Sequence, residues 1–346
     1  WQIHRVVVVL IGVPKEIKNN EFRIGLTPAG VTELVSTGHQ VIVERSGGAG
    51  IGLSDDKYQT AGAEIVGSPE EIFSRADMVV KVKEPQPNEC RLIRPGQLLF
   101  TFLHLAADRC QTELLKQSGV TAIAYETITD ELGGLPLLAP MSEVAGRLSV
   151  QQGAFYLQKT QGGSGILMGG VPGVEPAKVT IIGGGVVGLN AARLAIGLGA
   201  NVCIIDRSLP RLRHIDDLYG DRINTLFSTS QTIEQHVIES DLVIGAILVP
   251  GAAACKLVKR TLLKKMKPNS VLVDVAIDQG GCFETSRPTT HTNPTFRIDD
   301  IIHYCVANMP GAVARTSTFA LTNATLPFIS KVATSGISAV RKNHHL

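Results

Sequence analysis

Short apolar runs recur along the chain, and amphipathic stretches separate them. In the first 135 residues the runs fall at Val6–Gly12, Gln40–Glu44, Met78–Lys83, Leu98–His104 and Thr121–Glu126. Each is too continuously apolar for a strand with one wet face. Strands of this kind, separated by helices, form a parallel sheet covered on both sides. Between them, Pro28–Thr37 reads as a helix with a proline start and a stop at Gly38, and Thr112–Ser118 as a second. "SPEEIFSRAD" (Ser68–Asp77) opens with Ser68, Pro69 and Glu71, the pattern of a capping box. Met141–Lys159 has helical spacing interrupted by Gly146 and Gly153, and reads as a long connecting helix. The Gly/Pro loop "TQGGSGILMGGVPGVEP" (Thr160–Pro176) then leads into a second alternating unit that begins at Lys178. No internal repeat or low-complexity tract interrupts this order.

Composition narrows the classes. A chain of 346 residues holds two domains of ordinary size, and 44% hydrophobic with 18% charged residues is globular composition. The net charge of +2 comes without a basic stripe, which argues against nucleic acid or a membrane surface as partner. The six cysteines (Cys90, Cys110, Cys203, Cys255, Cys282, Cys305) make no C-x-x-C pair and read as reduced thiols of a cytosolic protein. "VVVVLIGV" (Val6–Val13) is shorter than the roughly 20 residues that span a bilayer, and no small-residue cleavage pattern follows it. It is expected as a buried first strand, with Trp1–Arg5 a short extension.

The second unit opens with a motif that carries chemistry. The strand "KVTII" (Lys178–Ile182) runs into "GGGVVG" and then into a helix that stops at Gly199. Gly183, Gly185 and Gly188 satisfy G-x-G-x-x-G. The first glycine permits a tight turn, the second admits a pyrophosphate to the backbone, and the third seats the helix against the strand. The helix start then offers free N–H groups and a positive dipole end. "NVCIID" follows and ends in Asp206, 206 − 183 = 23 residues on, at the spacing of a ribose-binding acid. A carboxylate there favours NAD, while Arg207 and Arg211 nearby leave room for NADP.

Ligands of open α/β sheets bind beyond the carboxyl ends of the strands. Arg23, Lys83, His104 and Asp278 all fall there. Each has a plain alternative: a solvated cation for Arg23, a snorkelling lysine for Lys83 or Lys81, a satisfied core histidine for His104, a turn cap for Asp278. As a set they suit a nicotinamide enzyme. Arginine grips a carboxylate, lysine polarises a carbonyl, and histidine and aspartate move protons. The residues point to hydride transfer on a small 2-oxo or 2-amino acid.

At these residues the chain resembles the L-alanine dehydrogenase family. The resemblance covers Ile11 to about Lys331 and rests on "GVPKEIKNNEFRIGLTPAGV", "VVKVKEP", "LLFTFLHLAA", "LPLLAPMSEVAGRLSVQ", "GGVPGVEPAKVTIIGGGVVG", "VDVAIDQGGCFETSRPTTH" and "VANMPGAVARTSTFALTNATLP". It implies an α/β fold of two Rossmann-like doubly wound parallel-sheet domains with an active-site cleft between them. Residues 1–136 with 312–346 are expected to form the substrate domain and 137–311 the NAD-binding domain. The implied reaction is NAD-dependent reversible oxidative deamination of L-alanine to pyruvate and ammonium, in a cytoplasmic homohexamer. Arg23 matches the arginine at the substrate carboxylate and Lys83 the substrate-side lysine, while His104 and Asp278 match the acid/base pair. Around NAD the matching positions are Ser142, Gly183, Gly185, Val186, Gly188, Asp206, Arg211, Ser228, Ile247, Leu248, Val275, Asp278, Arg287, Asn308 and Met309.

Two relatives and one other class are the alternatives. The NAD-binding domain of proton-translocating transhydrogenase lacks the K-x-K-E-P lysine and the histidine after the aromatic strand; this chain has both. Saccharopine dehydrogenase does not carry "MSEVAGRLS" or "VDVAIDQGGC". A non-catalytic NAD-binding scaffold is opposed by intact Arg23, Lys83, His104 and Asp278. Ala314 stands where the family usually has proline, which is expected to loosen the loop after Met309. The segment after Lys331 is shorter than usual, which bears on packing of the substrate domain. Glu21 matches one magnesium ligand proposed for the family, but no matching histidine follows Lys331, so no metal is expected.

Overall fold

The apolar runs become strands of two separate sheets in the computed structural model, which describes residues 8–247, 255–336 and 345. The chain divides into two compact units, Trp1–Met141 with Val313–Leu346, and Ser142–Ala312.

The first unit holds β1 (Leu10–Val13), β2 (Gln40–Glu44), β3 (Glu64–Val66), β4 (Met78–Val80), β5 (Leu98–Thr101) and β6 (Thr121–Ala124). All pair in parallel, in the order β3-β2-β1-β4-β5-β6. The order reverses between β1 and β4, which makes that edge the switch point where such sheets place ligands. Ile11, Val13, Val41, Ile42, Val43, Met78, Val80, Leu99 and Phe100 are all nearly or fully buried, as a sheet covered on both faces requires. The helix Ala314–Ser335 packs back onto this unit: Thr318 Oγ1 accepts from Ile24 N at 3.4 Å, and Arg315 donates to the Ile51 carbonyl at 2.6 Å.

The second unit holds β7 (Lys178–Ile182), β8 (Asn201–Asp206), β9 (Asn224–Phe227), β10 (Leu242–Gly245), β11 (Val271–Asp274), β12 (Thr295–Ile298) and β13 (Ile301–Tyr304). The order is β12-β13-β11-β10-β7-β8-β9, parallel except for the β12–β13 hairpin at one edge. Here the order reverses between β7 and β10. The Rossmann-like, doubly wound expectation holds for both units.

Several boundaries differ from the sequence expectation. Strands expected to reach Lys83, His104 and Glu126 stop at Val80, Thr101 and Ala124. For β5 the reason is local: the amides of Leu103 and His104 turn to the Glu126 carboxylate, at 3.1 and 2.6 Å, instead of to a neighbouring strand. The first strand starts at Leu10, residues 1–7 lying outside the described part. The expected Thr112–Ser118 helix begins at Arg109, where Asp108 caps it by accepting from Gln111 N. The connecting helix spans Ala139–Tyr156 instead of Met141–Lys159, and a short 3-10 turn, Lys159–Gln161, follows it. The Ser68 capping box is half formed. Ser68 Oγ accepts from Glu71 N at 3.5 Å, but Glu71 reaches past the cap to Gly67 N at 2.9 Å. Ala314 begins a helix directly after the 3-10 turn Met309–Val313, so the chain there is regular.

Candidate active site

At the carboxyl edge of the first sheet, the segments leaving β1, β4 and β5 are built on charged side chains. Arg23 is almost fully buried, and Glu21 takes its fork: Nε to Oε1 at 2.7 Å and Nη2 to Oε2 at 2.5 Å. Its Nη1 lies 3.1 Å from the Met141 sulfur. This planar two-point grip fixes the guanidinium in one orientation.

Lys81 and Lys83 differ although they are two residues apart. Lys81 is fully buried between Glu89 at 2.7 Å and Glu16 at 3.2 Å, so the snorkelling alternative fails for it. Burial opposes its charge, but the two carboxylates outweigh that and hold the amine protonated. The other oxygen of Glu16 accepts from Val82 N at 2.6 Å and Lys83 N at 3.4 Å. The Lys83 carbonyl accepts from Thr101 at 2.9 Å. The backbone beneath Lys83 is therefore pinned from both sides, and a snorkelling surface role does not fit its near-complete burial either.

His104 follows β5 with left-handed backbone, φ 50°, ψ 37°, at the start of the 3-10 turn Leu105–Ala107. A non-glycine residue in that region is uncommon and persists only where its surroundings hold it. Glu126 does so through the backbone amides. The imidazole Nδ1 lies 3.6 Å from Glu84 Oε2, and about a third of the side chain stays exposed, at 35%. Lys18 pairs with the other Glu84 oxygen. Burial alone would raise the Glu84 pKa, but His104, Lys18 and Lys83 outweigh it and bring it down to about 2.

The second unit's strand ends are built on backbone. Gly183 has φ +107°, and a Cβ there would meet the Ala246 carbonyl at 2.7 Å. A Cβ on Gly188 would lie 1.8 Å from the Gly183 oxygen, so helix and strand touch backbone to backbone. A Cβ on Gly185 would meet nothing within 4 Å. That open face stands at the start of the helix Val186–Gly197, whose cap residue offers no side-chain acceptor. The first-turn N–H groups are thus available to phosphate oxygens, and the site fits a dinucleotide. Asp206 ends β8. Its Oδ2 accepts from Gly184 N at 2.6 Å and its Oδ1 from Ser208 N at 2.8 Å, so the acid also ties down the glycine loop. The Asp206 carbonyl accepts from Ser228 N at 3.0 Å. Arg211 sits in the first turn of the next helix, its side chain against Gly184.

Val275 and Asp278 lie on a 3-10 turn, Val275–Gln279, directly after β11, and Asp278 is exposed. Its anchor is Asp274, which is fully buried. Asp274 accepts from Ala276 N at 3.1 Å, Cys282 N at 2.9 Å, Phe283 N at 3.3 Å and Ser286 Oγ at 2.5 Å. Burial raises its pKa despite these donors. Arg287 lies over the Phe296 ring at 4.4 Å. Asn308 has φ +61° and accepts at its carbonyl from His291, 3.1 Å away, and Met309 beside it is buried. Ile247 follows β10 next to Gly183, Ser142 lies in the first turn of Ala139–Tyr156, and Leu248 lies outside the described residues. Among the described residues no group of three or more His, Cys, Asp or Glu is arranged for a metal, and no helix is long and apolar enough to cross a membrane. Both Glu21 oxygens are engaged by Arg23.

Sequence reading missed Glu16, Glu84, Glu126 and Asp274. Glu84 sits inside "KVKEP" and Asp274 inside "VDVAIDQGG", so adjacency to Lys83 and Asp278 was the available signal.

The family described as alanine dehydrogenase/PNT matches over both halves, its N-terminal domain at residues 12–145 and its C-terminal domain at 149–346. The chain is 61% identical over 326 residues to an alanine dehydrogenase of Halomonas elongata, covering 94% of this chain and 88% of that one. It is 56% identical over 329 residues to one of Bacillus subtilis, covering 95% and 86%. A solved L-alanine dehydrogenase superposes with a TM-score of 0.94 at 54% identity, covering 97% and 93%. A transhydrogenase from Sinorhizobium meliloti superposes with a TM-score of 0.82 at 25% identity, covering 94% of each.

Proposed function

The chain belongs to the alanine dehydrogenase/PNT family, and from that membership we propose that it catalyses the reversible oxidative deamination of L-alanine to pyruvate and ammonium, with NAD as hydride acceptor. The observation that carries this reading is 61% identity to an alanine dehydrogenase over 94% of the chain.

Bound NAD supplies the hydride acceptor. The chain's own groups do the rest. Arg23, held by Glu21, receives the substrate carboxylate. The substrate loses hydride from Cα, water adds at that carbon, and the carbinolamine collapses to pyruvate as ammonium leaves. His104 and Asp278 take and return the protons of these steps. Lys83 stabilises negative charge developing on the new oxygen. The glycine loop at Gly183, Gly185 and Val186 receives the pyrophosphate while Gly188 seats the helix against the strand behind it, and Asp206 with Arg211 and Ser228 receives the adenosine ribose. Ser142, Ile247, Leu248, Val275, Arg287, Asn308 and Met309 line the remainder of the cofactor. In this reading residues 1–136 with 312–346 bind substrate and 137–311 bind NAD. The family resemblance adds a homohexamer and a cytoplasmic location.

The test follows NADH absorbance with pyruvate, ammonium and protein mixed. Oxidation of NADH that needs both pyruvate and ammonium is expected. Oxidation without ammonium would make the protein a hydroxy-acid dehydrogenase, and binding of NADH without turnover would favour a transhydrogenase-like or scaffold role.

A further inference from the structure

Two buried polar atoms face each other beside β5 without a hydrogen bond. Glu84 Oε2 and His104 Nδ1 are each closed to solvent, neither has a hydrogen-bond partner, and 3.6 Å separates them. Orphaned polar groups of this kind are rare and call for an explanation. The charges around the pair are arranged with one sense. Lys18 pairs with Glu84 Oε1 and leaves Oε2 to the histidine. Lys83 lies next to Glu84 in sequence and acts on its charge. Glu126 holds the His104 amide at 2.6 Å and so takes the backbone, not the ring. The left-handed backbone at His104 places strain on a residue whose amide Glu126 holds and whose ring faces Glu84.

We propose that Glu84 is the positioning residue for His104: its Oε2 accepts the Nδ1–H, which fixes the tautomer and leaves Nε2 as the atom that exchanges protons with substrate. This rests on His104 being an acid/base group. The 3.6 Å separation suits a ligand-free site, because such contacts tighten when substrate arrives. A carboxylate behind a catalytic imidazole selects one tautomer and stabilises the protonated ring, a division of labour found on unrelated folds. Lys18 completes it by holding Glu84 in place from the exposed side.

The experiment is a double-mutant cycle on the full-length protein, read as kcat and KM for pyruvate with NADH and ammonium. Glu84→Gln keeps the side-chain size and removes the charge. It is expected to lower kcat about tenfold or more with KM for pyruvate changed less than about threefold, while His104→Ala lowers kcat about 100-fold. The double variant is expected to be no slower than His104→Ala alone, and Glu84→Asp to recover part of the loss. Equal losses from Glu84→Gln with and without His104 would overturn the positioning role while leaving His104 catalytic. Full turnover in His104→Ala would overturn the acid/base reading itself. Lys18→Gln tests the same arrangement from a half-exposed residue that leaves Glu84 intact. A loss of about threefold in kcat is expected, and none in the His104→Ala background. An equal Lys18→Gln loss in that background would also overturn the proposal.

Discussion

The two units carry similar twisted parallel sheets and finish their strands by different means. At the carboxyl edge of the first, carboxylates hold cationic side chains, Glu21 on Arg23 and Glu16 and Glu89 on Lys81, with Glu84 near His104, in addition to the amides that Glu16 and Glu126 hold. At the same edge of the second, side chains and glycines hold backbone. Asp206 anchors the glycine loop, Asp274 anchors the turn under Asp278, and Gly188 lets helix meet strand. In the proposed reading the first arrangement places charge for a small polar substrate, and it is vulnerable to the loss of any one partner. In the same reading the second presents N–H groups to phosphates, and it is vulnerable to an atom added at Gly183 or Gly188.

The comparison breaks most sharply at Lys81. Lys81→Met would leave Glu16 and Glu89 buried without their cation, and truncating one partner of a buried ion pair costs about 3–5 kcal/mol. Calorimetry is expected to show the first unit melting early with the second unmoved. A shift common to both units would mean that they unfold as one.

Acid should act on the second unit. His303 is fully buried, bonded to Thr285 at 2.8 Å and to the Ile301 carbonyl at 3.1 Å. Burial lowers its pKa from 6.5 to about 4. The folded state therefore holds this ring neutral where the unfolded chain binds a proton. Stability is complete above pH 6.5 and falls as pH drops toward 4, by about 3 kcal/mol at most. His303→Gln is expected to flatten that slope in urea titrations between pH 7 and 4. An unchanged slope would assign the acid sensitivity to another group.

The smallest expected effect sharpens the comparison. Asp206→Ala should weaken NADH binding about tenfold, roughly 1.4 kcal/mol, and reduce discrimination against NADPH. A fluorescence titration with both cofactors measures it. Unchanged NADH affinity would move the ribose contact elsewhere.

What the sequence revealed follows the same division. The glycine loop, β7, β8 and Asp206 were legible because their logic is local: a strand, a turn and a helix within one continuous stretch. The positions of Arg23, Lys83, His104 and Asp278 after their strands followed from the alternating pattern. Their supports did not. Glu126 reaches His104 across 22 residues, Glu16 reaches Val82 across 66, and neither spacing leaves a periodic mark. The same distance blindness misplaced the end of β5, because a carboxylate from the next strand's exit captured two amides that would otherwise have extended it. Lys81 looked like its neighbour Lys83 and differs only through partners that the sequence cannot place.

Asp206 has a bearing on any attempt to engineer this protein toward a phosphorylated cofactor. An engineer seeking to admit a 2′-phosphate would remove that acid first. Yet the same carboxylate spends one oxygen on Gly184 and the other on Ser208. If Asp206 receives the ribose as proposed, cofactor choice and loop shape are written in one residue, and exchanging it edits both. A redesign would have to keep acceptors for both amides, which asparagine, with one oxygen and one amino group, supplies for only one of them, and bring the positive charge in from Arg207 or Arg211.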